Sequence, residues 1–523
     1  MEDLPASVGV DLFAEHGKNP RARTDVLVTA GGYETRLGFS DPVFDESVVV
    51  ASSFEENQIT ELRLYPIEHR HSKRPANRRV LRPALAPQAR ATLGRLQIQS
   101  RPFGTEITIE NDVGVNRGPF KHGSIETEGT IMEKQQLFER TEFLARLAAV
   151  KDEMARRGID VLLISEPPNM NYLTGYDAYS YYVPQFVIVS LNGDEPIWIG
   201  RFMDRVSAVM TTYLADDNVR SYPDKYVQSA TFSAYDVMAE TVKQIGGEKA
   251  RIGAEMGGYY YSARAHSDLM RALPHAEFVD ADLLVNWIRV VKSPAEIALM
   301  RQAGKIADAM MERAIDTIAP GVRECDVAAA VYHQMAAGTP EFGGAYMCSP
   351  PFLCVGERAV APHAAWTDKP LPASTIINLE LFGNRHRYQV NLSRSISLGK
   401  PTPAYQNLSE IMVEALNAAL DSVRPGRTCA EVEGVFRQSL ARHGLEKEAR
   451  LGYSIGLGYP PGAVERTASL RKGDETVLKS GMCFHMMPGL WLDDVGITIT
   501  QSFAVADDGH EPLSSIPRKL FVK

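Results

Sequence analysis

Most residues of this 523-residue chain whose types could do chemistry fall in its last third. Glu380 carries a carboxylate, which can neutralise a cation or attack an electron-poor carbon. His363 and His485 carry imidazole, a group that ordinarily titrates near neutrality and moves protons readily. Arg387 and Arg394 can fork a carboxylate with parallel N–H donors, or can pair with Glu357 or Glu380. Tyr453 and Trp491 offer aromatic faces to a delocalised cation, or simply pack. A lone histidine is more often structural than catalytic. Because strand alternation could turn His485 away from a pocket, it ranks behind His363.

These side chains need elements to hold them. Ser374–Gly399 reads as a hairpin: one strand over Thr375–Leu381, a polar turn at Gly383-Asn384-Arg385, and a second strand over Tyr388–Leu398. Glu380 and Asn391 sit one on each strand. Upstream, Ser293 is a good N-cap, Pro294 suits a first helical turn, and Glu296 stands at the capping-box place. A long helix therefore starts there. Pro320-Gly321 and Pro425-Gly426 read as the ends of long helices.

Earlier still, a helical period from Glu133 through Leu147 leads by Arg156-Arg157-Gly158 into an apolar strand over Ile159–Ile164. Helix and strand patterns then alternate to about Leu284, as in an α/β domain. Residues 1–132 differ in character. Glu46–Ser53 and Gln58–Pro66 are strand-like runs about a Glu55-Glu56-Asn57 turn, Pro87–Gln99 has helical spacing, and the basic stretch His69–Arg82 reads as a solvated loop.

The length implies two or three domains, and 44% hydrophobic with 23% charged residues can bury several cores. A net charge of -9 gives no electrostatic reason to bind nucleic acid or an anionic membrane, which favours small-molecule chemistry. The start MEDLPASVGV has no secretory pattern and no later run is long and apolar enough to span a bilayer, so the expected compartment is the cytoplasm. The cysteines 325, 348, 354, 429 and 483 have no CxxC spacing, so buried reduced thiols are expected.

From Trp287-Ile288-Arg289 to residue 505 the chain resembles the pita-bread (M24) family, which includes methionine aminopeptidases, Xaa-Pro peptidases, creatinase and ectoine hydrolase. PPNMNYLTGYDAYSYYVPQ resembles the turn after the first strand of the family's N-terminal domain. The resemblance implies an α+β fold: a pita-bread catalytic domain over 289–523, preceded by a smaller α/β domain over 133–288. It also implies a homodimer in which the Tyr176–Tyr182 loop, with Tyr181, approaches a binding site, often the partner's. The segments SVVVASSFEENQITELRLYPIE and RPFGTEITIENDVGV resemble the C-terminal end of capsule-biosynthesis (poly-γ-glutamate synthesis) proteins. Residues 1–132 lack the Asp, His and Asn clusters such a phosphatase-like protein needs, so they read as a non-catalytic remnant.

Metal-dependent members hold two ions with two aspartates, a histidine and two glutamates. The matching positions here are Glu380, Asn391, Tyr453, Met487, and Thr500 or its neighbour Gln501, a set that keeps one carboxylate. No metal or other cofactor is expected. Gly452–Pro461, Phe484–Trp491 and Asn378–Tyr388 resemble the ectoine hydrolases, with Gln501 departing from an expected glutamate. That resemblance implies hydrolysis of a C–N bond in a small cyclic amidine or guanidine-like compound. Glu380 would be amidinium partner or nucleophile, His363 the proton shuttle at the place of creatinase's catalytic histidine, and Arg387 and Arg394 the carboxylate clamp. The other readings are a metal-dependent Xaa-Pro peptidase and a catalytically silent protein of the same fold.

Overall fold

The computed structural model describes residues 134–492 and 494–523, together with the backbone of strands lying between Gly9 and Ile109. The chain divides into two compact units, Met1–Glu128 and Gly129–Lys523. In the first, β1 (Gly9–Phe13), β2 (Thr24–Ala30) and β3 (Tyr33–Phe39) form one antiparallel sheet, while β4 (Ser47–Glu55) pairs with β5 (Gln58–Pro66) and β6 (Leu96–Arg101) with β7 (Gly104–Ile109). The β4–β5 hairpin matches the two strand-like runs. The helix expected over Pro87–Gln99 is not continuous: residues 96–99 belong to β6, and residues 87–95 lie outside the described residues, as does the His69–Arg82 stretch.

The second unit opens with α1 (Arg140–Arg157), which starts later than its helical period suggests. Phe138, one residue before the N-cap Glu139, packs edge-on against Phe143 at 5.9 Å, a hydrophobic staple that fixes where the helix begins. Gly158, at φ 66°, closes it in the left-handed region that a residue with Cβ resists. Then come β8 (Val161–Ile164), α2 (Pro167–Thr174), β9 (Phe186–Ser190), β10 (Ile197–Arg201), α3 (Arg205–Thr211), β11 (Val219–Tyr222), α4 (Ala234–Gln244), β12 (Arg251–Ala254), α5 (Ala263–Ala272), β13 (Glu277–Asp280) and α6 (Leu284–Arg289). Their mixed six-stranded sheet has the order β11-β10-β9-β8-β12-β13. The PPNMNYLT stretch, expected as a turn, is the short helix α2.

The long helix α7 (Pro294–Thr317) begins with the expected capping box between Ser293 and Glu296. It is followed by α8 (Glu324–Ala337), β14 (Phe352–Val355), β15 (Thr375–Arg385), β16 (Tyr388–Leu398), α9 (Pro403–Asp421) and α10 (Cys429–Ala441). The chain ends with β17 (Gly452–Tyr459), β18 (Gly462–Leu470), β19 (Cys483–Met486), β20 (Leu490–Trp491), β21 (Gly496–Ile497), β22 (Gln501–Val505), β23 (His510–Pro512) and β24 (Phe521–Val522). The main sheet runs β14-β15-β16-β17-β19-β22-β23, with β18 on β17 and β24 on β16.

The two halves of this domain repeat one another at their helix junctions. Gly321 N–H donates to Leu371 O, and Gly426 N–H to Leu478 O. Leu371 and Leu478 N–H return bonds to Val322 O and Arg427 O, and Thr428–Glu431 forms a second capping box. The hairpin turn differs from expectation: β15 continues through Arg385 and reverses at His386-Arg387, both with positive φ (47° and 70°) as a two-residue hairpin turn requires. Asn384 Oδ1 accepts from Arg387 N–H at 3.0 Å and steadies that unfavourable backbone.

The smaller domain is tied to the larger by a buried polar network. Asn169 Nδ2 donates to Glu255 and to Asn286, Arg289 Nε donates to Asn169, and Glu465 on β18 binds Arg289 at 2.7 Å and Lys292 at 2.6 Å. Arg289 and Lys292 both pair with Glu465, so removing Glu465 would leave buried cations unpaired, at about 3–5 kcal/mol.

Candidate active site

Register decides which side chains share a face of the main sheet. Glu380 pairs with Phe352 on one side and Ser393 on the other, and Phe382 pairs with Asn391. Directly opposed residues project the same way and successive residues alternate. Phe352, Glu380, Phe382, Ser393 and Asn391 therefore stand together. The opposite face of β15 packs on α7. A Cβ on Gly383 would come within 2.3 Å of Ala303 O, so this glycine serves helix packing rather than a turn.

Asn391 Nδ2 donates to the Tyr453 hydroxyl at 3.2 Å, which lies 3.1 Å from His485 Nδ1. Tyr453 and His485 are a cross-strand pair on β17 and β19, their rings edge-to-face at 5.4 Å. The hydroxyl accepts from Asn391, and which atom donates between it and His485 Nδ1 depends on the ring tautomer. Asn391 Oδ1, Ser393 Oγ and His485 Nε2 are buried without partners among the described residues. The Glu380 carboxyl, pushed up to about 7 by burial, is offset by no described cation or donor.

His363 lies on an exposed loop on the same face. Its ring is 5.1 Å from that of Phe352, the strand partner of Glu380. That loop is held from behind: Arg358 donates to Ala365 O and to Glu324 at 2.5 Å, and Glu324 also accepts from Thr367 N–H. Asn378, two residues before Glu380, is a positioning residue whose role the sequence motif alone does not reveal. Its amide donates to Ala359 O at 2.8 Å and Gly496 O at 2.9 Å, drawing both segments onto the sheet.

Several expected residues take other work. His485 is fully buried, and burial followed by the charge of Arg394 pushes its pKa down to about 3, so near neutrality its ring is neutral and ill suited to the proton-shuttle role in which it ranks behind His363. Arg394 pairs with Leu379, away from Glu380, and its guanidinium donates to the backbone carbonyls of Ser393, Thr500, Ile516 and Pro517. Its donors are spent on backbone carbonyls and do not form a clamp. Arg387 binds Asp177 at 2.8 Å, not Glu357 or Glu380, and lies over the Tyr346 ring at 3.6 Å. Tyr181 packs in the same region against Tyr179, Tyr260 and Tyr459. The Trp491 ring meets the ammonium of Lys447 at 5.2 Å. Gln501 Nε2 donates to Ser502 O and Ser514 O, and Thr500 Oγ1 accepts from Ser393 N–H.

The pattern of metallopeptidase family M24 matches residues 298–507, and that of the creatinase/prolidase N-terminal domain matches residues 146–291. An uncharacterized hydrolase/peptidase of Sinorhizobium fredii is 49% identical over 386 residues, which are 74% of this chain and 98% of the relative. The chain belongs to the M24 family. Within that family, an ectoine hydrolase of Halomonas elongata is 42% identical over 393 residues, covering 74% of this M24 protein and 98% of the relative. A dipeptidase crystal structure from Pyrococcus horikoshii shares the fold, with a TM-score of 0.62 at 22% identity over 72% of this chain and 100% of the other.

The residues at the family's metal positions do not fit a dinuclear centre. Asn391 and Tyr453 are bonded to each other, Met487 is a thioether, and Thr500 is engaged with backbone. Among the described residues no three His, Cys, Asp or Glu side chains converge as metal ligands would. No helix among them is long and apolar enough to cross a membrane.

Proposed function

We propose that this M24 hydrolase opens a C–N bond of a small cyclic amidine or guanidine-like compound without a metal ion, and that ectoine is its substrate. One observation carries the reading. At a metal-ligand position of the family stands a lone, sheltered carboxyl, Glu380, and beside it a buried acceptor, Asn391 Oδ1, that no described donor satisfies. Two acceptors without donors complement a cation rich in N–H groups, and a protonated amidine is one. The kinship with an ectoine hydrolase supports the same substrate class.

In the proposed reaction the amidinium N–H groups donate to Glu380 and Asn391 Oδ1. Glu380 then attacks the amidine carbon as His363 protonates the departing ring nitrogen, and a water attacks the same carbon and releases the Glu380 carboxylate. One water is consumed overall. Its oxygen becomes the new amide oxygen, the ring C–N bond breaks, and the nitrogen leaves as an amine. In this reading the neutral His485 carries its hydrogen on Nε2 and offers it to oxygen charge that develops at the reacting carbon.

The proposed working unit is residues 133–523, with a small domain over 133–288 and the catalytic domain over 289–523. Residues 1–132 are then a non-catalytic addition. A cytoplasmic homodimer is proposed in which the Tyr176–Tyr182 loop helps close the neighbouring site. Tyr179 and Tyr182 are 63% and 62% exposed, and Phe202 and Met203 are 67% and 65% exposed, side chains that such a contact would cover. Light scattering of the purified chain tests the dimer.

The function itself is tested by following ectoine ring opening by NMR with and without a strong chelator. Equal rates are expected. Inert ectoine together with metal-restored cleavage of an Xaa-Pro dipeptide would replace this reading with the peptidase one, and inertness toward both would leave a silent protein.

A further inference from the structure

We infer that a positively charged cavity beside Tyr453 is a carboxylate-binding subsite anchored by Arg450. The inference rests on the cyclic-amidine reading for its place in catalysis, and the cavity's own chemistry supports it separately. The cavity, of about 460 Å³, is bordered by Arg450, Arg466, Arg471 and Asp474, with Tyr259 and Ser469 among its walls. Three guanidinium groups thus face one carboxylate.

Two of these side chains are already engaged. Arg466 pairs with Asp282 and with Gly257 O. Asp474 accepts from the N–H groups of Ser469 at 2.8 Å and Thr476 at 3.0 Å rather than from an arginine. That leaves Arg450 and Arg471, neither of which is paired with a carboxylate among the described residues. Burial and the nearby charge of Arg471 both act to lower the pKa of Arg450. Two like charges held over one cavity favour an anion between them.

The geometry of Arg450 suits that task. Its guanidinium lies over the Tyr453 ring, 4.7 Å from the centroid, and makes one hydrogen bond, from Nη1 to Ser469 Oγ at 3.0 Å. A stacked guanidinium keeps its in-plane donors free to fork a carboxylate. Ser469 is the cross-strand partner of Tyr453, so it lies on the face from which the Tyr453 hydroxyl reaches Asn391. The Tyr453 ring therefore has a cation at its face and the acceptors for an amidinium at its hydroxyl end. In the inferred binding mode a compact zwitterion sets its carboxylate at Arg450 and its delocalised cation at Glu380 and Asn391. Neither Arg387 nor Arg394 stands there.

The test compares wild type, Arg450→Gln, Arg450→Lys and Arg471→Gln in the full chain, with thermal melts to establish folding. Three probes are used: ectoine, the same ring without its carboxylate (2-methyl-1,4,5,6-tetrahydropyrimidine), and 5-oxoproline, a ring acid without the cation. Arg450→Gln should raise KM for ectoine about 10- to 100-fold, the usual worth of a charge-assisted hydrogen bond, with a much smaller change in kcat. It should leave the decarboxylated ring unaffected and abolish 5-oxoproline binding measured by calorimetry. Arg450→Lys should recover part of the loss, and Arg471→Gln should show a smaller rise. Equal effects of Arg450→Gln on the two amidines, or 5-oxoproline binding that ignores Arg450, would overturn the subsite while ectoine turnover kept the reaction intact. Conversely, Arg450-dependent binding of 5-oxoproline with no amidine ever opened would sink the reaction and leave the subsite standing.

Discussion

The Tyr453 hydroxyl lies 3.1 Å from Nδ1 of the fully buried His485, its cross-strand partner. Asn391 Nδ2 donates to the same oxygen at 3.2 Å, so one hydroxyl satisfies two buried side chains. Tyr453→Phe should cost about 1–3 kcal/mol, because it leaves both neighbours without a partner. Urea unfolding measures that loss, and nitrogen NMR of the His485 ring should show its tautomer no longer fixed. An unchanged tautomer would show that Tyr453 does not set it.

His363 is exposed and held by its loop rather than by hydrogen bonds of its own ring, so its removal should disturb little structure. His363→Ala is expected to lower kcat for ring opening by about 10²–10⁴-fold, the range for losing a general acid–base group, with Tm unchanged. Full activity of that variant would remove His363 from the mechanism.

What the sequence made legible was whatever local chemistry decides. The Ser293–Glu296 capping box, the glycine at the end of α1 and the strands carrying Glu380 and Asn391 all rest on neighbours a few residues away. Gly383 misled because it looks like a turn residue, whereas the reason for its missing side chain is Ala303 on α7, eighty residues earlier. The real turn, at His386-Arg387, depends on the Asn384 side chain to hold positive φ. Arg394 and Arg387 looked alike as carboxylate clamps. Only the folded chain shows one donating to four carbonyls and the other facing Asp177. Arg450 carried a faint signal, three residues before Tyr453, and became distinctive once β17 and β18 set Ser469 and Arg471 near it.

The division at Glu128 and Gly129 bears on the proposed working unit. A chain beginning near residue 126 retains α1 and its Phe138–Phe143 staple, together with every residue assigned to the reaction. That truncation should stay folded and open ectoine within about twofold of the full-length rate, a difference of a few tenths of a kcal/mol in barrier. An insoluble or inactive product would mean that residues 1–125 do more than precede the enzyme.

Glu380 makes the sharpest prediction because the proposed chemistry needs its charge and its surroundings disfavour it. Burial raises its pKa in the folded chain to about 7, whereas an unfolded chain would titrate in the usual range near 4.5. Below both values the carboxyl is neutral in either state, and its titration then adds no penalty to the fold. As pH rises through that window, the unfolded chain releases the proton first, the folded state comes to bind more protons, and stability falls. Above about 7 the loss is complete. Glu380→Gln should therefore raise Tm relative to wild type at pH 8, and the advantage should shrink to nothing near pH 4. Activity has the opposite requirement, because only the carboxylate can hold the amidinium or attack its carbon. For wild type, kcat/KM should climb as the free enzyme deprotonates near 7, while the limb in kcat should sit at lower pH because a bound cation favours the charged carboxylate. Glu380→Gln should abolish turnover at every pH. A variant that opens the ring as fast as wild type, or that melts lower than wild type at pH 8, would show that this carboxyl is neither the catalytic group nor the strained one.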